Sequence, residues 1–263
     1  MFMLITLASC LTLGQESGQV QQNTGAKPAV QNKSTQSTQQ TSSSTPAKKA
    51  TPEKTTTVMK PAPKPANMAT INLANGVRKQ LNVKHWPSIG NPEAKYVFVE
   101  MFDYTCPHCK NTHKSVEGAF KKYGKDLAVI VLPVPLDNKC NGAVRAANPK
   151  HAESCEVSRI AISVWRCKPS SFHQFHDWMF AAPGARTAFE ARQFGEQLVG
   201  AEKLRAEMAK PYASQYIQSH VSLYMKAGAS QVPKLMFPRR TMSGEVPTQT
   251  LVNTIAQQFA DKK

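Results

Sequence analysis

The sequence lacks a long apolar run: no stretch approaches the about 20 consecutive apolar residues that a membrane-spanning helix requires. Residues 1–13, MFMLITLASCLTL, are apolar but too short to span a membrane, which is typical of the hydrophobic part of an export signal. Within them, residues 7–10, LASC, are similar to a bacterial lipobox, so Cys10 is a candidate lipidation site although no Lys or Arg precedes it. We therefore expect an exported protein, held at the periplasmic side of the cell envelope by an N-terminal anchor.

Residues 14–68 lack aromatic side chains and consist mostly of Gln, Ser, Thr, Lys, Ala and Pro. Such a segment cannot bury enough apolar surface to offset the entropy lost on ordering. We therefore predict a disordered linker with a reach of about 40 Å as a flexible coil. Apolar clusters and aromatic residues recur from residue 69 onward, so residues 69–263 are predicted to form one domain with a sizeable core.

Acidic residues are scarce: 17 Asp and Glu stand against 33 Lys and Arg, which gives a formal net charge of +16. The linker holds seven lysines and two glutamates, a net +5, so +11 lies mainly on the domain. A basic surface attracts nucleic acid or anionic lipid. Because the sequence has no arginine-rich stripe and no aromatic nucleic-acid motif, we expect no nucleic-acid binding and interpret the charge as a surface facing an anionic membrane.

The domain alternates strand and helix patterns. Residues 96–102 and 127–134 are apolar runs typical of buried strands, and a helix is predicted between them from Pro107 to about Tyr123, with Gly124 at its end. This order predicts a βαβ unit with parallel strands. A lead of residues 69–92 ends in a turn-rich segment. An insert over about 140–227 has five predicted helices, at 151–167, 172–181, 187–199, 201–210 and 212–227. After the insert, the sequence predicts a strand at 234–237, a turn through Gly244 that leads to another strand, and a final helix at 248–260.

Cys106 and Cys109 lie at the junction between the first of these strands and its helix. Free N–H groups at a helix N-terminus favour negative charge, so the thiolate of Cys106 should be stabilised and its pKa lowered. Such a thiolate is a good nucleophile and a good leaving group. Cys109, one turn deeper, is expected to be the resolving thiol. Pro107 suits the first helical turn, and His108 can add positive charge or a hydrogen bond to the thiolate.

Metal binding is the main alternative for a CxxC pair. A structural zinc site needs four ligands, and the sequence has no second tight cysteine pair. Haem attachment requires a His after the second cysteine, where Lys110 stands. His173 and His176, three residues apart without nearby Cys or Glu, are a weak metal pattern. His113 on the predicted active-site helix could face the groove or solvent, and we expect it to face solvent. We therefore expect redox chemistry with no metal and no cofactor.

The segment 100–109, EMFDYTCPHC, resembles the active-site segment of the DsbA-like thiol–disulfide oxidoreductases, whose α/β thioredoxin fold carries a helical insertion. The resemblance covers essentially all of residues 69–263. It implies that Cys106 is the nucleophile and Cys109 the resolving thiol, and the CPHC form implies an oxidising member. Residues 231–233, QVP, match a second family element. Pro233 is implied to be a cis-proline packed against the cysteine pair, and the backbone of Val232 to pair with an extended substrate.

The family also carries a buried acid that is thought to relay protons to the buried cysteine. Glu100, six residues before Cys106, is the first candidate for this role, and Asp103 is the second. An unpaired carboxylate inside a strand is costly, so Glu100 should be neutral at times or linked to water.

Three further cysteines of an exported domain are expected to include a disulfide. If residues 151–167 form one helix, Cys155 and Cys167 are about 18 Å apart and cannot be bridged. Cys140 would then pair with one of them. We prefer Cys140–Cys155, which leaves Cys167 as a free, buried thiol; Cys140–Cys167 and no pairing remain open.

The resemblance implies a monomeric oxidase that forms disulfides in cysteine-containing exported proteins. Its recycling would need a quinone-linked membrane thiol oxidase of the DsbB or vitamin K epoxide reductase type. The alternatives are a reductase or isomerase of the same fold, and a non-catalytic metal-binding module that uses Cys106 and Cys109 as ligands. Isomerases of the family are usually dimers with a separate dimerisation domain, which residues 14–68 cannot provide.

Overall fold

The computed structural model describes residues 67–260. The predicted export signal, Cys10 and nearly all of the linker lie outside the described residues. The strands are β1 (Met68–Asn72), β2 (Arg78–Asn82), β3 (Ser88–Gly90), β4 (Tyr96–Phe102), β5 (Leu127–Pro133), β6 (Lys234–Met236) and β7 (Thr241–Ser243). The α-helices are α1 (Pro107–Tyr123), α2 (Ser154–Cys167), α3 (Pro169–Ala181), α4 (Ala188–Val199), α5 (Ala201–Met208), α6 (Tyr212–Lys226) and α7 (Thr248–Gln258). No helix within residues 67–260 is long and apolar enough to cross a membrane.

Strands β4 and β5 are the centre of a five-stranded sheet with the order β3-β5-β4-β6-β7. They pair in parallel, whereas β3, β6 and β7 each join antiparallel. Every residue of β5 and all but the first of β4 are buried, which is typical of strands covered on both faces. Phe98 of β4 stacks on Phe237, which follows β6, with ring centroids 4.9 Å apart. At the end of β4, Phe102 packs edge-on against Tyr104 with ring centroids 4.8 Å apart, where the chain turns into α1.

Helix α1 begins at Pro107, where the missing N–H costs no hydrogen bond, and ends at Tyr123. Gly124 follows with a positive φ of 52°, a backbone conformation that favours glycine. Helix α7 approaches α1 very closely: a Cβ added at Gly118 would lie 2.5 Å from Cγ2 of Thr248. A larger residue at position 118 would therefore require the Thr248 side chain to move.

Helices α2 to α6 form the insert between β5 and β6. Helix α2 lies among them and contacts each of the other four. Helix α3 contacts both β3 and α1, and α6 contacts β5. Nδ1 of the buried His220 on α6 lies 3.2 Å from the carbonyl oxygen of Pro133 at the end of β5. The insert is thus docked on the sheet and on the helix that carries the cysteine pair.

The predicted order of βαβ unit, helical insert and ββα unit is confirmed, and two predictions of detail are wrong. The lead of residues 69–92, predicted only as a segment ending in turns, contains β2 and β3 and most of β1. The last strand was expected after the turn through Gly244, but β7 precedes that glycine and pairs with β6. The N–H of Gly244 donates to the carbonyl of Pro233 at 2.8 Å, which continues the pairing of β7 with β6 up to this glycine.

Candidate active site

Cys106 occupies the N-cap position of α1 without a capping hydrogen bond from its side chain, and Cys109 lies in the first turn of the helix. Both thiols are free. Cys106 is 6% exposed, whereas Cys109 is fully buried. A reacting partner can therefore reach Cys106 at the rim of the site, and it cannot reach Cys109 directly.

The two thiols differ in acidity. A hydrogen bond from the Cys109 side chain lowers the pKa of Cys106 to about 7; burial opposes this effect, and the backbone N–H groups of Cys109 and His108 support it. Burial, followed by the interaction with Cys106, raises the pKa of Cys109 well above its usual range. At neutral pH the outer sulfur is thus partly a thiolate while the inner one keeps its proton. This is the division expected between an attacking and a resolving thiol.

The loop before β6 lies opposite the cysteine pair. The peptide bond between Val232 and Pro233 is cis, and Sγ of Cys106 lies 4.0 Å from the carbonyl oxygen of Val232. Both residues are 126 or more positions away from Cys106 in the sequence. The structure therefore brings the CPHC and QVP motifs together.

The side chain of His108 is 69% exposed to solvent. Its Nδ1 lies 3.2 Å from Oε2 of Glu245, which also accepts a hydrogen bond from Asn111 at 3.1 Å. The hydrogen bonds from Asn111 and His108 hold the pKa of Glu245 below its usual value. Sequence reasoning missed Glu245; the only signal for it was an acidic residue next to a predicted turn. His108 contributes to Cys106 through its backbone N–H.

Glu100 lies in the middle of β4 and is 1% exposed. Burial raises its pKa to about 7, and the charge of His113 partly opposes this rise. Its Oε2 makes no hydrogen bond to any of the residues that the structure describes. A carboxyl group in this environment gains and loses its proton near neutral pH.

Asp103, the second candidate for the proton-relaying acid, is buried, and both of its carboxylate oxygens accept hydrogen bonds. Its carboxylate accepts hydrogen bonds from the backbone N–H and hydroxyl of Thr105, the N–H of Leu136 and the hydroxyl of Ser154. Its backbone N–H donates to Sγ of Cys109 at 3.4 Å. Asp103 thus fixes the turn between β4 and α1 and orients the inner sulfur.

His113 was expected to face solvent, and this is wrong: it is 3% exposed. Its ring stacks on Phe180 of α3 at 4.7 Å and meets the edge of His176 at 4.9 Å. His176 is fully buried, and its Nδ1 lies 3.0 Å from the hydroxyl of Tyr104. The face of α1 that carries His113 is covered by the insert, which the pattern of α1 alone could not reveal.

Lys110 attaches the start of α1 to the loop after α3. Its ammonium donates to the carbonyl oxygens of Ala182 and Pro183. This loop, together with Phe180, lines a small cleft next to Cys106. The insert therefore forms one wall of the surface around the outer sulfur.

Cys140 and Cys155 form a disulfide with an S–S distance of 2.04 Å and a Cα–Cα distance of 6.0 Å. Cys167 is a free thiol, but it is partly exposed rather than buried. It lies at the last position of α2, where its sulfur lies 3.6 Å from the carbonyl oxygen of Lys203. The two ends of α2 therefore hold cysteines in different states.

Comparison with known proteins matches these features to a family. A family model described as thioredoxin matches residues 82–257. No curated protein sequence matches the chain. Among solved structures, a periplasmic thioredoxin-like protein from Salmonella enterica serovar Typhimurium is 25% identical, with a TM-score of 0.53 over 66% of this chain and 90% of that one.

Two more distant structures support the same fold. The catalytic domain of ScsC from Proteus mirabilis is 23% identical, with a TM-score of 0.54 over 66% of this chain and 89% of that one. Oxidised BdbD from Bacillus subtilis is 17% identical, with a TM-score of 0.55 over 68% of this chain and 95% of that one. The predicted fold class, a thioredoxin fold with a helical insertion, is confirmed.

Proposed function

This chain belongs to the thioredoxin family, and from that premise we propose that it is an exported thiol–disulfide oxidoreductase that oxidises cysteine pairs in other exported proteins. One observation carries the proposal. The sulfur at the rim of the site, Cys106, has a pKa lowered to about 7, and the fully buried sulfur beneath it, Cys109, has a raised pKa.

In the proposed reaction, the oxidised enzyme holds a Cys106–Cys109 disulfide. A substrate thiolate attacks Sγ of Cys106, the enzyme disulfide breaks, and the Cys109 sulfur leaves and takes up a proton. The second substrate thiolate then attacks the substrate sulfur of the mixed disulfide, and Cys106 leaves as a thiolate. The substrate is oxidised by two electrons and the enzyme reduced by two. The low pKa of Cys106 favours this direction because it makes that sulfur the better leaving group.

The loop opposite the cysteines supplies the proposed substrate contact. An extended substrate would hydrogen-bond to the backbone of Val232, with Pro233 packed beside the sulfurs. The Val232 carbonyl oxygen lies 4.0 Å from Sγ of Cys106, which supports this placement. A peptide bound along this edge would present its cysteine to the outer sulfur.

We also propose that Glu100 supplies or accepts the proton of Cys109. Its pKa of about 7 allows both states at neutral pH, and its Oε2 has no hydrogen bond within residues 67–260. The Asp103 carboxylate is less suited, because its hydrogen bonds hold it in place. Replacing Glu100 with Gln should slow the step in which Cys109 changes protonation.

The setting of the enzyme is part of the proposal. Residues 1–13 would direct export, Cys10 would carry a lipid, and residues 14–68 would tether the domain, residues 69–263, to the membrane. The periplasmic origin of the relative from Salmonella enterica supports export. A quinone-linked membrane thiol oxidase of the DsbB or vitamin K epoxide reductase type would reoxidise the monomeric enzyme. Mass spectrometry of the native N-terminus tests the lipid at Cys10.

The oxidase direction is tested by the redox potential of the Cys106–Cys109 pair, measured in glutathione buffers. A value near that of DsbA, about −120 mV, is expected, and a value near that of thioredoxin, about −270 mV, would contradict the oxidase. The oxidised protein should also transfer its disulfide to a dithiol peptide. Stoichiometric metal binding by the reduced pair without such transfer would favour the non-catalytic module.

Substrates are tested by trapping. A Cys109→Ala variant cannot resolve a mixed disulfide through its own thiol, so it should accumulate disulfides with exported proteins. The variant should also carry Cys167→Ala, because Cys167 is partly exposed and could form disulfides of its own. Adding Cys106→Ala as the matched control should abolish capture. Capture that persists in this control would place the reaction elsewhere.

A further inference from the structure

Helices α1 and α3 face each other with the same pattern of a histidine followed four residues later by an acid. On α1 the pair is His113 and Glu117, and on α3 it is His173 and Asp177. Residues at i and i+4 lie on one face of a helix, so each pair presents its side chains together. These four residues are called the α1–α3 cluster below.

Three residues of the α1–α3 cluster, His113, Glu117 and Asp177, have ligand atoms close enough to one another to bind one ion. Nε2 of His113 lies 3.3 Å from Oδ1 of Asp177 and 3.9 Å from Oε1 of Glu117. Nε2 of His173 lies 3.5 Å from the same Asp177 oxygen. In a tetrahedral site with metal–ligand bonds of about 2.0–2.1 Å, neighbouring ligand atoms are about 3.4 Å apart. Ligand atoms of His113, Glu117 and Asp177 all lie within 4.8 Å of one another.

Burial supplies a second observation. His113 is 3% exposed, and within the described residues neither of its ring nitrogens has a hydrogen bond of acceptable geometry. Oδ1 of Asp177 is likewise buried without one. A buried polar atom without a hydrogen bond lowers the stability of the fold, and native structures usually provide such atoms with a partner. Phe180 stacks on the His113 ring and holds it in its position between the two helices.

We propose that the α1–α3 cluster binds a zinc ion, with His113, Glu117 and Asp177 as ligands. The partly exposed His173, whose Nε2 lies 3.5 Å from Oδ1 of Asp177, would become the fourth ligand after a movement of its side chain. Two imidazoles and two carboxylates suit Zn²⁺, whereas Ca²⁺ and Mg²⁺ take oxygen ligands and Cu(I) prefers sulfur. The sequence pattern of His173 and His176 did not point to this site, because the partners of His173 are Asp177 and two residues about 60 positions away on α1.

The ion would join the helix that carries the redox cysteines to the insert. His113 is one turn after Cys109, and the contacts of Lys110 already attach the first turn of α1 to the loop after α3. A bound ion would fix the same two helices one turn further along. It would therefore stabilise the docked insert in both redox states, because no redox sulfur is a ligand.

Isothermal titration with ZnCl₂ tests the site. The full chain is used with alanine at every cysteine outside the Cys140–Cys155 disulfide, so that no free thiol can bind the metal. One equivalent of Zn²⁺ should bind and raise the melting temperature. Asp177→Asn and Glu117→Gln should each weaken binding at least tenfold, and both side chains are 40% or more exposed, so these variants should fold. The exposed His85, replaced by Gln, is the matched control and should leave binding unchanged.

A protonated His113 paired with Asp177 would satisfy the same atoms without a metal. In that case no stoichiometric binding is seen, and the proposal is overturned. Binding that survives both acid variants, or that His85→Gln weakens equally, overturns it as well. Cobalt substitution gives an independent readout: a tetrahedral Co²⁺ spectrum that Asp177→Asn removes would support the site, and an octahedral spectrum would contradict it.

Discussion

The lowered pKa of Cys106 predicts a pH-dependent stability that a Cys106→Ala variant lacks. The unfolded thiol keeps its proton up to about pH 9, whereas the folded thiol loses it near pH 7. Between these values the unfolded chain binds more protons, so the stability of the reduced protein rises with pH. A pKa lowered by about two units contributes about 3 kcal/mol to the free energy of unfolding, at 1.36 kcal/mol per unit. This contribution is fully present above pH 9 and is lost as the pH falls through 7. Cys106 is only 6% exposed, so solvent screens little of this.

Urea unfolding of the reduced protein at pH values from 6 to 9.5 measures the effect. The difference between wild type and Cys106→Ala is the relevant quantity, because groups that do not interact with Cys106 cancel and burial, the largest cause of the raised pKa of Cys109, keeps that thiol protonated in both folded proteins. Thiolate absorbance should show half-titration near pH 7, and Cys109→Ala should raise that midpoint because the Cys109 thiol is the largest cause of the shift. Parallel stability profiles, or a wild-type midpoint near 9, would refute the reasoning.

The buried Glu100, the Cys140–Cys155 disulfide and Glu245 each offer a separate test. In metal-free oxidised protein, the free energy of unfolding of wild type should fall by about 3 kcal/mol relative to that of Glu100→Gln as the pH rises from 4.5 through about 7, because folding raises the pKa of Glu100. Urea unfolding at these two pH values measures the difference. An equal pH response of the two proteins contradicts the prediction. Replacing Cys140 and Cys155 by serine should cost about 3 kcal/mol of unfolding free energy, given their separation of 15 residues, without moving the thiolate titration of Cys106. Glu245→Gln removes a negative charge near the site and should lower the pKa of Cys106 by less than about one unit; a rise in the thiolate midpoint would speak against it.

The centre of the fold could be predicted because its signals are local. Strand β4 and helix α1 were predicted with the bounds that the structure has, since a continuous apolar run, Pro107 and Gly124 mark them. Strand β2 was missed because only one of its five residues is fully buried, so it has no strong pattern of its own. Strand β3 is three residues long and ends in Gly90. Such edge strands depend on partners that the local sequence does not show.

The residues of the candidate site also fall into those that a local sequence pattern predicts and those that it does not. The cysteine pair and QVP are motifs that can be read from short segments. The environment of His113 depends on α3, which begins more than fifty residues later, and the partners of Asp103 lie 33 and 51 positions away. Glu245 reaches His108 across 137 positions. Side chains placed by tertiary packing leave no local pattern, so these contacts could not be predicted.

The long reach of the Asp103 and Val232 contacts has a consequence for biosynthesis. The turn before Cys106 is held by Leu136 and Ser154, and the surface opposite the outer sulfur comes from Val232. A nascent chain that has emerged only as far as the helical insert contains both redox cysteines and lacks the wall that faces them. The working site is therefore assembled after nearly the whole polypeptide has left the ribosome, and a truncated product carries the motif without the site.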